Sequence, residues 1–129
     1  MLKFDKMDGL EKLLWSVSGL TVLQMTLGFY LSQISNPLNS RMLYVHIITG
    51  TLLFILALIL IKPSGINKRL RNLSVVNSGL IVLTGIIGSG FIIFKNSTFY
   101  STYMPYPHFL LAIGIISNYA VMLGIKRTL

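Results

Sequence analysis

The sequence predicts an all-α integral membrane protein, an antiparallel bundle of four transmembrane helices. Three observations carry this. The chain is 129 residues long, 53% hydrophobic and only 11% charged, with a mean hydropathy of +0.75. A soluble domain carries about 25% charged residues. Four apolar runs each approach the ~20 residues that a membrane crossing needs. The two halves of the chain also repeat one another, so the bundle reads as two similar helical hairpins. The length leaves room for one domain, residues 1–129.

The first span runs from about Leu13 to Gln33 and holds no charged residue. Before it lie Lys3, Lys6 and Lys12 mixed with Asp5, Asp8 and Glu11. That mixture, and an apolar run too long for an h-region, exclude a cleavable signal. Leu2, Phe4, Met7, Leu10 and Leu14 are expected to form the apolar side of a short interfacial helix. The second span covers about Met42–Ile61, the third Ser74–Phe94 and the fourth His108–Ile125. Loops join them at Ile34–Arg41, Lys62–Leu73 and Lys95–Pro107. Connections this short give antiparallel neighbours. In lipid, helices are the only spanning option besides a closed barrel.

Charge fixes the expected orientation. There are 11 Lys and Arg against 3 Asp and Glu, a formal net charge of +8. The N-terminal lysines, Lys62, Lys68, Arg69, Arg71, Lys126 and Arg127 fall on one side, and only Arg41 and Lys95 on the other. The excess of basic loop residues marks the cytoplasmic face. Both termini and the middle loop are therefore expected in the cytoplasm, in the cell membrane. The basic charge is matched to lipid headgroups rather than to nucleic acid. With no cysteine, disulfides, thiolate metal sites and a cysteine nucleophile are excluded.

The internal repeat has an offset of 60 residues. Ser18-Gly19-Leu20-Thr21-Val22-Leu23, then Gly28, matches Ser78-Gly79-Leu80-Ile81-Val82-Leu83, then Gly88. The next span of each hairpin carries one histidine, His46 and His108, at an offset of 62. This implies two hairpins related by a pseudo-twofold axis along the membrane normal. Both histidines are expected near the outer ends of their spans, and the second and fourth helices lie diagonally across such a bundle. Two imidazoles facing each other at similar depth fit the axial positions of a haem iron.

The neighbouring residues fit that arrangement. Gly28 and Gly88 lie at the histidine depth and leave room for a flat porphyrin. Arg41 and Lys95 are placed to pair with haem propionates. Phe99, Tyr100, Tyr103, Tyr106 and Phe109 are expected to form an aromatic cover. Plainer readings of the same residues stay open. Membrane glycines often serve close helix packing, and aromatics form interface belts. A membrane histidine can simply hydrogen-bond a neighbouring helix, and cations can meet lipid phosphate. Zinc or copper usually takes more protein ligands than two histidines. Gln24, Asn77 and Asn118 are expected to hydrogen-bond between helices. There is no phosphate-binding loop, no HExxH and no membrane-embedded carboxylate.

Leu23-Gln24-Met25-Thr26-Leu27-Gly28, Val45-His46-Ile47-Ile48-Thr49-Gly50, Leu83 to Gly88 and Pro107-His108-Phe109-Leu110-Leu111-Ala112 together resemble one four-helix half of the haem A synthase family. Those membrane enzymes oxidise a methyl group of haem O to make haem A, and short archaeal versions have four helices. The likeness covers about residues 18–125. It implies histidine ligands on the second and fourth helices and haem O or haem A as alternatives to haem b. The family's glutamate three residues before the histidine of helix two is Leu43 here, and the arginine that often follows the histidines is Ile47 and Phe109. The outer-loop cysteine pair is missing, and no Asp or Glu follows Glu11. General acid–base chemistry would lack an obvious group.

The functional expectation is a four-helix membrane cytochrome with a bis-histidine haem near the outer face. It would serve in electron transfer or as a subunit of a respiratory membrane complex. One alternative is a compact haem A synthase-like enzyme. The other is a non-haem accessory subunit. Expected partners are the bilayer, other membrane subunits or a second copy, and quinone.

Overall fold

A computed structural model describes residues 7–129. Leu2 and Phe4 of the expected interfacial helix lie outside the described residues. The described residues form α1 (Gly9–Gln33), α2 (Arg41–Ile61), α3 (Lys68–Ile93), the short α4 (Thr98–Tyr103) and α5 (Pro105–Thr128), with single 3-10 turns at Pro37–Asn39 and Pro63–Ile66. No strand occurs among them. Four helical segments are long and apolar enough to cross a membrane.

Caps set the helix starts, and they lie earlier than hydropathy places them. The Asp8 carboxylate accepts the Glu11 amide at 2.9 Å, so α1 begins at Gly9 rather than near Leu13. The Asn67 side chain accepts from Arg69 and Leu70, so α3 begins at Lys68 although Lys68, Arg69 and Arg71 read as loop. Capping oxygens relieve first-turn amides that have no intrahelical acceptor. Ser40 caps α2 in the same way through the Met42 amide. α5 starts at Pro105, where a missing amide hydrogen costs nothing.

Around the bundle, α1 packs against α2 and α5, and α3 packs against α2 and α5. The helices that carry the two histidines, α2 and α5, are therefore diagonal. One core gathers Leu10, Leu14 and Val17 of α1, Leu53, Ala57 and Leu60 of α2, Leu70 and Ile81 of α3, and Ile115, Tyr119 and Met122 of α5. Leu10 and Leu14 are thus core residues of a span, 8% and 0% exposed, and not an interfacial face. They continue α1 inward because the Asp8 cap makes those turns part of the long helix.

The burial pattern carries the duplication further than the residue matches do. Leu10, Leu14, Val17, Ser18 and Thr21 are buried, and so are Leu70, Ser74, Asn77, Ser78 and Ile81, each sixty residues later. Leu53, Ala57 and Leu60 are buried, and so are Ile115, Tyr119 and Met122, each sixty-two later. The bulk is exchanged within the pairs: Tyr119 stands where its counterpart is Ala57. Several buried hydroxyls are satisfied along their own helices, whereas those of Ser74 and Tyr119 have no hydrogen-bond partner. Ser18 donates to the Leu14 carbonyl, Thr21 to Val17 and Ser78 to Ser74. Asn77 donates to the Ile115 carbonyl at 3.0 Å and accepts from Asn118 at 2.8 Å, joining α3 to α5 as expected for these residues.

Large apolar side chains also cover the outside. Phe29, Tyr44, Ile59, Val75, Ile86 and Leu110 are each about half exposed or more, on all four long helices of the bundle. A water-soluble monomer rarely carries so much contiguous apolar surface. In a bilayer it is the lipid face.

Candidate functional site

Packing differs between the two halves of the bundle. Over residues 22–33, 41–52, 82–93 and 105–114 only Leu31 and Gly90 are fully buried. His46 and His108 lie in this more loosely filled half. His46 is the sixth residue of α2, and His108 is the fourth of α5, where its amide donates to the Met104 carbonyl. The earlier start of α5 puts both rings about one turn inside their helices.

Each imidazole rests on the glycine of the preceding span. A Cβ placed on Gly28 would stand 3.3 Å from His46 Cε1. A Cβ placed on Gly88 would stand 3.2 Å from His108 Cε1. Real Cβ contacts are seldom this close. The same ring atom meets the same repeat position, so the duplication extends to side-chain geometry. The expectation gave these glycines to a porphyrin; in the structure the space above each is taken by the imidazole itself. Close approach needs glycine here, and no unusual backbone conformation is involved.

His46 and His108 stand on the two diagonal helices, α2 and α5. The Nδ1 atoms of both are buried and bonded by no protein group. Buried polar atoms are nearly always hydrogen-bonded; Ser74 Oγ and the Tyr119 hydroxyl are also unpaired, but the two imidazole nitrogens are the pair at repeat-equivalent positions and have capacity left over. Phe91 stands edge-on to His108, with ring centroids 5.6 Å apart. Phe91 in turn meets Tyr100 at 5.1 Å.

The other predicted residues sit as follows. Arg41 opens α2 and Lys95 follows α3, and both are exposed. The aromatic segment turns in only one ring. Tyr100, on α4, donates to the Ile87 carbonyl and fills a notch at Gly90, where a Cβ would collide with its hydroxyl. Phe99, Tyr103, Tyr106 and Phe109 point outward, at 68%, 56%, 69% and 47% exposure, so they belong to a belt and not to a cover. Ser97 caps this short helix and aims Tyr100 inward.

One residue of the site was not expected in its role. Gln24 lies one turn below Gly28 on α1. Its Nε2 donates to the His46 carbonyl at 2.8 Å, and its Oε1 accepts from Thr49. An intramembrane amide signals an interhelical bond from sequence, but not that the bond falls on the turn carrying a histidine.

The donor set is limited. Among the described residues no group of three or more His, Cys, Asp or Glu is arranged to hold a metal. Two grooves of about 520 and about 400 Å³ follow the α1–α5 seam and include neither histidine. Their walls, among them Trp15, Val22, Phe29 and Ile116, are apolar and open to the outside of the bundle. The histidine site therefore rests on side-chain chemistry and not on surface concavity. No family model, curated protein or solved structure matches this chain.

Proposed function

We propose that this chain is a four-span membrane cytochrome whose His46 and His108 hold one haem, b-type in the first instance, and that it moves electrons within a membrane complex. The observation that carries the reading is the symmetric pair of imidazoles. Each is seated on a glycine and each keeps an unpaired buried nitrogen. Two histidines are too few for a closed zinc or copper site. They suit a metal that brings its own equatorial ligands, and haem iron is such a metal. Bound haem would supply one-electron redox chemistry. His46 and His108 would both ligate its iron, and a group held by two histidines suits electron transfer. His46 comes from α2 and His108 from α5, so the group would tie the two diagonal helices together. Arg41 and Lys95, the only cations near that end among the described residues, would take its carboxylates.

The spans run antiparallel, with both termini and the Lys62–Leu73 segment in the cytoplasm. Two ion pairs support this. Lys126 meets Asp8 at 2.7 Å and Arg127 meets Glu11 at 3.9 Å, bringing the start of α1 to the end of α5. The basic residues crowd that end, as the positive-inside rule requires. The histidines then lie toward the outer face.

The reading is tested by expressing His46→Ala and His108→Ala beside the wild-type chain with haem supplied. Each substitution is expected to abolish most of the haem that co-purifies, while the chain still inserts. Equal haem content in all three proteins contradicts the assignment. A non-haem subunit predicts no effect of either change on the absorption of the purified chain.

A further inference from the structure

The two hairpins are alike at the histidines and differ one turn deeper. In the first hairpin Gln24 reaches from α1 to the backbone of α2. It donates to the His46 carbonyl and accepts from Thr49. It can lie there because residue 50 is glycine: a Cβ at Gly50 would stand 2.6 Å from Gln24 Nε2. At the repeat offsets, Gln24 corresponds to Thr84, Thr49 to Leu111 and Gly50 to Ala112. The second hairpin thus has a short side chain opposite a residue with a Cβ. Thr84 turns its hydroxyl back to the Leu80 carbonyl in its own helix. A long amide with glycine has been exchanged for a short hydroxyl with alanine. The sequence supplies its own comparison of one motif with and without a side-chain amide bridging the two helices.

The ends of the helices add to the difference. His46 sits behind a complete first turn capped by Ser40. The turn before His108 contains Pro105 and Pro107, which donate no amide hydrogen, and the ring is flanked by Phe91 instead.

We propose that Gln24, with Thr49 and Gly50, is a positioning device for the α2 turn that carries His46, one that the second hairpin does not share. The geometry stands without any cofactor, and its functional meaning rests on the haem reading above. Groups that orient metal-ligating residues typically change metal retention by about 10- to 100-fold when removed.

The test compares Gln24→Met, which keeps the volume and loses both bonds, with Thr49→Val, Gly50→Ala and the transplant Thr84→Gln/Ala112→Gly. The first readout is amide hydrogen exchange of the segments around 46–50 and 108–112 in detergent micelles without haem. Gln24→Met and Gly50→Ala are expected to speed exchange in the first segment about three- to tenfold, the range of one hydrogen bond, and to leave the second unchanged. The transplant is expected to slow the second segment. The second readout is the rate of haem loss from the loaded chain, expected to rise about tenfold in Gln24→Met and to fall in the transplant. Unchanged exchange at 46–50 in both Gln24→Met and Gly50→Ala overturns the proposal. So does equal loosening of both segments, which marks general destabilisation. A wild-type chain that takes up no haem overturns the haem reading alone, and the exchange data then decide the positioning role.

Discussion

Adding one methyl group at Gly28 or Gly88 probes the site most cleanly. The new Cβ would stand 3.3 Å from His46 Cε1 in Gly28→Ala and 3.2 Å from His108 Cε1 in Gly88→Ala, so each ring must retreat by a few tenths of an ångström. Overpacking of a filled contact costs about 1–3 kcal/mol. The exchange also returns about 1 kcal/mol of helix propensity. Gly19 and Gly79 provide the control. They occupy equivalent positions of the same two helices, and a Cβ on either meets nothing within 4 Å. Gly19→Ala and Gly79→Ala are thus expected to be neutral or stabilising by up to about 1 kcal/mol. The difference between site and control substitutions is expected to be about 1–3 kcal/mol, and nearly equal in the two hairpins. Equilibrium unfolding in mixed lipid–detergent micelles measures it, with haem content as a parallel readout. If Gly28→Ala matches Gly19→Ala in both stability and haem content, the imidazole does not rest on that glycine and the reasoning fails.

Other expectations concern different parts of the molecule. Gly90→Ala must expel Tyr100 from its notch, losing the bond to the Ile87 carbonyl and the ring contact with Phe91, at a cost of about 1–3 kcal/mol. Protease sensitivity of the Lys95–Met104 segment should rise, and unchanged cleavage argues against the notch. The Lys126 ammonium, with the Glu11 amide, holds the Asp8 carboxyl below its ordinary value of 3.8. Because the folded value is depressed, this contribution to stability is complete above about pH 4 and is lost as pH falls through the lower folded value. Asp8→Asn should therefore flatten the acid dependence in that window and, between pH 5 and 8, lower stability by an amount that does not vary with pH. A thermal-unfolding series at several pH values checks this. Since the chain has no cysteine, single cysteines can report topology. Asn36→Cys should react with an impermeant maleimide from outside intact cells, and Ile66→Cys only after lysis. The opposite pattern reverses the orientation.

The four spans were legible because lipid-facing and core positions are both apolar, so hydropathy reports length without needing a face. Their starts were less legible. Asp8, Asn67 and Pro105 extend three helices into charged or proline-containing sequence through capping, a local effect that a hydropathy window averages away. The duplication was visible at Ser18, Gly28 and His46 and their counterparts. Its continuation through Leu14 and Ser74, or through Ala57 and Tyr119, was not, because burial is conserved between the hairpins where residue type is not. Depth put Gly28 and Gly88 beside the histidines, yet only coordinates reveal that an imidazole fills the space above each. The inward turn of Tyr100 was hidden for a similar reason. Five aromatics in one segment look alike, and the one that meets Gly90 is chosen by the Ser97 cap. Gln24 was readable as an interhelical donor, but its acceptor depends on the register between α1 and α2.

The central claim is that His46 and His108 hold one haem between them. The most direct measurement is the absorption spectrum of the purified chain, oxidised and dithionite-reduced, with a pyridine haemochrome to identify and count the group. The account predicts a Soret band, sharp α and β bands on reduction and close to one haem per chain. A folded, colourless protein after haem supplementation would contradict it and leave the two imidazoles as packing groups on their glycines.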